Sequence, residues 1–273
     1  MSAKQAKPYK YGFVLGGGGA RGFAHLGAIK ALKERGIEPD IISGVSAGAV
    51  AGAFIAAGKT PEETHEAVKA LSMMDLTNFQ MPKTGLFNLD KLGALLQSKL
   101  GKIDLKELKI PMIVGATDIL NARVTYFREG DLSEIVQASA SIPVLFSPVK
   151  IDDLYYADGG VFSNIPLAPL KSCCEYTIVI NISPMDKIKE LGNIANIAAR
   201  TFQLSVNGQN STIKSQCDIY IEPPELSSFP IFDTQKADEL FEIGYSHALN
   251  MELNLKDTSG SSWWKKFTGW LDK

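Results

Sequence analysis

The chain has 273 residues, 45% of them hydrophobic and 21% charged, with a net charge of −2. That suffices to bury one large core or two smaller ones. Acids and bases are mixed along the chain, which excludes nucleic acid as the main partner. Residues 1–10 are polar, with no apolar run behind them long enough for a secretory signal. No stretch reaches the roughly 18 apolar residues of a membrane span. Cys173 and Cys174 are adjacent and Cys217 stands alone, which is neither a disulfide framework nor a zinc spacing. A reduced, cytoplasmic compartment is expected.

A short apolar run at 11–15 reads as a strand and leads into Gly16-Gly17-Gly18-Gly19-Ala20-Arg21-Gly22. A helix follows over 22–35, with Phe23, Leu26, Ile29 and Leu32 on one face and Gly36 as its C-cap. Residues 39–43 read as a buried strand, ending in Gly44-Val45-Ser46-Ala47-Gly48. The alanine-rich segment 47–57 reads as a helix that stops at Gly58. Gly17, Gly19 and Gly22 form G-x-G-x-x-G, the dinucleotide-binding fingerprint, but that reading needs an acid at the far end of the next strand. Asp40 lies at the wrong end, so the nucleotide reading fails.

Strand, helix and strand at this spacing make a right-handed βαβ unit with parallel strands. The glycine loop and the serine turn then share the carboxyl edge of the sheet, about 4.8 Å apart if the strands are neighbours. Glycine N–H groups beside an exposed serine suit an acyl-transfer site, and the helix start at Ala47 adds free N–H groups and a positive dipole end. Taken alone, the pentapeptide also fits a plain helix N-cap.

Thr60 caps a predicted helix over 61–71. Residues 72–90 carry Met73, Met74, Leu76, Phe79, Met81, Leu86 and Phe87 without a period. They read either as core under a loop or as an apolar wall or lid over a greasy substrate. A helix is predicted over 89–100, then an antiparallel pair of strands at 110–118 and 122–127. A capping box at Asp131 and Glu134 opens a helix to about residue 139. Runs at 147–151 and 154–156 lead to Asp158-Gly159-Gly160, a triplet that is often only a turn. The clearest central strand is 175–182, followed by a helix at 188–206, a strand at 218–221 and a last helix at 233–253. Alternating strands and helices predict an α/β fold whose mainly parallel sheet has helices on both faces.

A nucleophilic serine needs a base, and the chain has three histidines. His65 sits with Glu62, Glu63 and Glu66 on what reads as a solvent face. His247 falls beside Leu240, Gly244 and Met251 as a packing residue, and His25 shares a face with Ile29 and Leu32. None follows a late strand, where the chain order of the α/β-hydrolases would place it.

Together these residues resemble the bacterial patatin-like phospholipase family: a glycine loop (17–22), a G-x-S-x-G elbow (44–48) and a D-G-G triplet (158–160), in that order. The segments 138–143 and 164–166 are similar to those bracketing that family's catalytic aspartate. The resemblance spans roughly 10–249 and excludes 72–90 and the tail after Lys256. It implies a three-layer α/β/α sandwich and a Ser-Asp dyad of Ser46 and Asp158. It also implies an oxyanion hole from Gly17, Gly18, Gly19 and Ala47, with Arg21, Gly22, Gly44, Gly48, Gly159 and Gly160 in support. The implied reaction is cleavage of fatty-acyl esters of lipids or phospholipids through an acyl-serine, with no metal or organic cofactor. Hydrolysis of small soluble esters or thioesters, and non-catalytic lipid binding on the same fold, remain as alternatives. A carboxylate base predicts a rate that holds as pH falls from about 7.5 to 6, where a free histidine would protonate.

Residues 1–255 read as the hydrolase domain, and 256–273 as a flexible linker with an amphipathic tail. Trp263, Trp264 and Trp270 lie there beside Lys265, Lys266 and Lys273, a composition suited to a weak, reversible contact with a membrane surface. Packing on the chain's own domain or on a second subunit is the other reading, and a homo-oligomer stays open.

Overall fold

The computed structural model describes residues 7–75, 89–185, 187, 190, 194–207 and 210–253. The Trp-rich tail at 256–273 and the part of the Met- and Phe-rich stretch at 76–88 lie outside the described residues.

The apolar runs form one mixed sheet of eight strands. β1 (Tyr9–Leu15), β2 (Ile41–Gly44), β3 (Met112–Asp118), β7 (Cys174–Ile180) and β8 (Ile219–Ile221) make its parallel body, in the order β3-β2-β1-β7-β8. β4 (Arg123–Phe127) and β6 (Leu154–Asp158) pair antiparallel with β3, and β5 (Val149–Ile151) pairs with β6. β1 and β2 are direct neighbours, with Leu15 opposite Gly44, as the βαβ reading requires.

Alternation along the buried strands sorts the core into two layers. Phe13, Leu15, Ile42, Met112, Val114, Ile178 and Ile180 face one side. There they meet α1 (Phe23–Glu34), α2 (Ala47–Ala56), α4 (Asp90–Leu100), α5 (Leu132–Ala140) and α9 (Ala237–Asn250), with α3 (Pro61–Asp75) packed on their rim. Val14, Ile41, Ile113 and Val179 face the other side. This second cover is thinner: Ile165, Leu167 and Leu170 from an irregular segment, plus Ile213 of the short α8 (Asn210–Lys214). α6 (Gly160–Ser163) follows β6 and touches α7 (Ile194–Asn207). Among the described residues no helix is long and apolar enough to cross a membrane.

Several boundaries differ from the sequence reading. α3 runs on to Asp75, so residues 72–75 are helical. α9 begins at Ala237, because Asp233 caps a separate tight turn over Thr234–Lys236. Asp131 caps α5 through the Glu134 N–H, whereas the reciprocal box forms at Asp104 and Glu107. His65 is buried rather than solvent-facing, edge-on between the rings of Phe23 and Phe241 and 3.2 Å from Asp238. α3 lies against α1 and α9, so this face of an acid-rich helix is a packing face.

Candidate active site

Strand pairing brings two distant motifs together. β4 takes one edge of β3 from Val114 to Asp118, and the other edge is shared end to end by β2 and β6. β2 runs with β3 and β6 runs against it, so their carboxyl ends approach head-on. Gly44 pairs with Val114 and Asp158 with Ala116. Ser46 and Asp158, 112 residues apart in sequence, therefore line one cavity with Gly17, Gly18, Gly19 and Asn164.

Ser46 stands at φ 55°, ψ −123°, a backbone state that costs a non-glycine residue about 1–3 kcal/mol. Its surroundings hold it there. The Ser46 N–H donates to Ser139 Oγ at 2.9 Å, and that hydroxyl donates onward to Gly115 O at 2.6 Å. Gly48 lets the first turn of α2 lie on the end of β1, since a Cβ there would strike Leu15 O. The strained turn turns the Ser46 hydroxyl toward Asp158.

Asp158 is buried at the end of β6. Its Oδ1 accepts the Gly160 N–H at 2.7 Å, and Thr117 Oγ1 donates to its backbone carbonyl at 2.8 Å. Burial raises its pKa from the ordinary 3.8 to about 7, offset in part by the Ser46 hydroxyl and the Gly160 N–H. Ser46 is thus near enough to favour the carboxylate, although Oδ2 makes no hydrogen bond of proper geometry. Such contacts often tighten only when substrate binds. A base near 7 also protonates across the range of a histidine, so the expected constancy of rate from pH 7.5 to 6 does not hold for this carboxylate.

The glycine loop is fixed from several sides. His25 is fully buried and donates from Nε2 to Gly16 O at 2.8 Å. Burial lowers its pKa to about 4, so it stays neutral and serves the loop as a structural group. The Gly17 N–H donates to Asn164 O at 3.1 Å, and Gly17 O accepts from Ser183 Oγ at 2.7 Å. A planar trans peptide sets N–H opposite C=O, so holding Gly17 O turns the Gly18 N–H the other way. Gly17's own amide is already taken. Among the described residues, the amides of Gly18, Gly19 and Ala47 donate to no other group.

Arg21 is buried and donates to the carbonyls of Phe229 (2.8 Å) and Ser227 (3.4 Å), strapping the loop to the segment before α9. Burial, then the positive charge of Arg200, lowers its pKa to about 10. Gly19 stands at φ 59°, and Ala20 N–H reaches Ile231 O at 2.7 Å. Gly22 lies against Ala47, Gly44 against Gly48, Gly159 against Gly115 and Gly160 against Asn164 and Phe202. Among the described residues no three His, Cys, Asp or Glu side chains gather to hold a metal ion. Sequence reasoning gave no roles to Ser139, Thr117, Asn164 or Ser183. Ser139 and Asn164 lie in the segments singled out by resemblance, but their function depends on strand pairing that no local pattern displays.

A strained serine elbow facing a buried aspartate, beside a glycine loop with open amides, is the arrangement of a serine acyl hydrolase. Comparison with known proteins agrees: residues 13–171 match the family model for patatin-like phospholipase, and the chain belongs to that family. An uncharacterised NTE family protein of Mycobacterium tuberculosis is 34% identical over 174 residues, 62% of this chain and 48% of its own length. Patatin-like phospholipase domain-containing protein 6 of Homo sapiens is 27% identical, covering 86% of this chain and 20% of its own. A lysophospholipase NTE1 of Scheffersomyces stipitis is 25% identical over 96% of this chain and 19% of its own. The chain thus spans about half the length of its mycobacterial relatives and about a fifth of the others. The fold is similar to VipD from Legionella pneumophila, with a TM-score of 0.53 at 16% identity, covering 89% of this chain and 66% of VipD.

Proposed function

We propose that the chain is a serine esterase and lipid acyl hydrolase, cleaving fatty-acyl esters of lipids through an acyl-serine. The observation that carries this reading is Ser46, strained at φ 55°, beside a buried Asp158 whose Oδ2 makes no hydrogen bond. Oδ1 is held by Gly160, which leaves Oδ2 to receive the serine proton. A carboxylate is ordinarily a weak base, and burial lifts this one toward neutral pH, where general-base catalysis is most effective.

In the first half-reaction Ser46 Oγ attacks the ester carbonyl carbon as its proton passes to Asp158 Oδ2. The Gly18, Gly19 and Ala47 amides hold the resulting oxyanion. The C–O bond to the leaving alcohol breaks, and that oxygen takes the proton from Asp158. Water then attacks the acyl-serine with Asp158 again as base, releasing the fatty acid and restoring Ser46. Every step is carried by these side chains and amides.

Residues 1–255 act as the hydrolase domain in this reading, and the tail at 256–273 adds weak, reversible membrane contact. The test is hydrolysis of chromogenic acyl esters and of a lysophospholipid by wild type, Ser46→Ala and Asp158→Asn. Both variants, folded, should lose hydrolysis on every substrate. Rates that fall steadily from acetyl to oleoyl chains would favour a short soluble ester as the substrate instead.

A further inference from the structure

The space above Ser46 and Asp158 amounts to about 20 Å³, about enough for one water molecule. Pockets that take a drug-sized molecule measure about 300–1,000 Å³. Phe202 of α7 is part of the wall, and a shift of this helix would open a way for an acyl ester to reach Ser46.

The outer surface of the same wall is apolar. Each segment that lines the cavity outside the glycine loop and elbow carries an exposed apolar side chain within four positions of a lining residue. Val144 follows Ile142, Val161 and Phe162 follow Asp158, Met185 follows Ser183, Leu204 follows Phe202, and Phe232 follows Ile231. Val144 is 66% exposed at φ 73°, an outlier for a β-branched residue. α7 presents Ile194 (82% exposed), Ile197, Thr201 and Leu204 (56% exposed) along one outward stripe. A surface helix ordinarily turns such a stripe inward.

Charge narrows the choice of occupant. The segments 142–149, 160–170, 194–207 and 227–232 contain no Asp or Glu, in a chain that has 30, and Arg200 is their only charge; in the Met185 segment, 183–190, Asp186 and Glu190 are balanced by Lys187 and Lys189. Such a collar does not repel phosphate headgroups. A protein or a second copy seated on it would cover the opening through which substrate must pass.

We infer that this collar docks on a lipid surface, and that α7 withdraws Phe202 from the cavity when acyl chains take up its Ile194–Ile197–Leu204 stripe. The inference rests on the ester-hydrolase reading and adds to it the physical state of the substrate. In water, a displaced α7 would expose Phe202 as well as its stripe. Lipid binds that displaced state better, which is what a shift in population requires.

The test uses the full chain, a soluble chromogenic butyrate ester and vesicles of ether-linked phosphatidylcholine and phosphatidylglycerol, which offer no ester to cleave. Vesicles should raise the rate of the wild type on the soluble ester about tenfold. The double variant Ile197→Glu/Leu204→Glu should lose that rise and bind vesicles at least about tenfold more weakly. Without vesicles its rate should stay within about twofold and its melting temperature should not move, because neither side chain lines the cavity. The single change Leu204→Gln repeats the comparison without adding charge. An equal rise in wild type and variants, or no rise in either, would overturn the inference. So would a wild-type dimer that the variants convert to monomer in sedimentation, which would assign the collar to a second copy. Loss of butyrate hydrolysis in the wild type itself would sink the esterase reading, while vesicle co-sedimentation would still report on the collar.

Discussion

Replacing Asp158 by asparagine removes the proposed base, and the structure assigns that change a second, thermodynamic signature. Burial holds the Asp158 pKa at about 7 against an ordinary 3.8. Between those values the native protein binds a proton that the unfolded chain has lost, so stability falls as pH rises through that window. At about 1.4 kcal/mol per pKa unit, ionised Asp158 costs up to about 4 kcal/mol above pH 7 and nothing below pH 4. His25 acts in the opposite direction: its native pKa of about 4 against 6.5 means stability rises with pH over that range. His25 is common to both proteins and cancels when they are compared. Asparagine does not titrate, so its own packing cost is independent of pH. Urea unfolding of wild type and Asp158→Asn at pH 4.5 and 8 isolates the carboxyl group. The stability of the variant relative to wild type should increase by about 3 kcal/mol from the lower pH to the higher. A difference constant within about 0.5 kcal/mol would mean that Asp158 titrates as an ordinary surface acid, refuting burial as the source of its basicity.

Other consequences are measurable separately. Ser183→Ala removes the shorter of two hydrogen bonds to Gly17 O, leaving Asn164 Nδ2 at 3.4 Å, and should lower kcat several-fold with KM little changed, since the Gly18 amide loses part of its aim at the oxyanion stage. Hydrolysis should fall below pH 7 with an apparent pKa near that of Asp158, and His25→Gln, if folded, should leave that pKa in place; its disappearance would make His25 the base. Deleting residues 262–273 should spare soluble-ester hydrolysis and lower activity on anionic vesicles, with tryptophan emission of the full chain shifting to the blue on docking. No blue shift, with a lower melting temperature after deletion, would return the tail to the core.

The βαβ start of the fold was legible because its signals are local: two short apolar runs, a glycine loop, an alanine-rich helix and their spacing. Ser46 followed from the same reading. Its strain did not, for a positive φ at a serine is set by Ser139, Gly115 and the packing of Gly48 on Leu15. Asp158 was visible through the D-G-G triplet and the family resemblance, whereas its burial and raised pKa arise from β2 and β6 meeting along β3. That pairing joins residues more than a hundred positions apart. His65 was misjudged because its acidic neighbours in sequence describe one face of α3, and the ring occupies another, between Phe23 and Phe241. The glycine loop reads in sequence as a row of donors, whereas the Gly17 amide is taken by Asn164 O, which arrives from the far side of the chain.

The central claim is that Ser46 is a nucleophile activated by Asp158, and covalent capture tests it without any choice of lipid. Intact mass spectrometry after treatment with a fluorophosphonate ester should show one adduct on the wild type, mapped by digestion to Ser46. Ser46→Ala should show none, and folded Asp158→Asn should label at least about a hundredfold more slowly, because the serine then has no base. An adduct on another residue, or labelling of Asp158→Asn at the wild-type rate, would contradict the dyad.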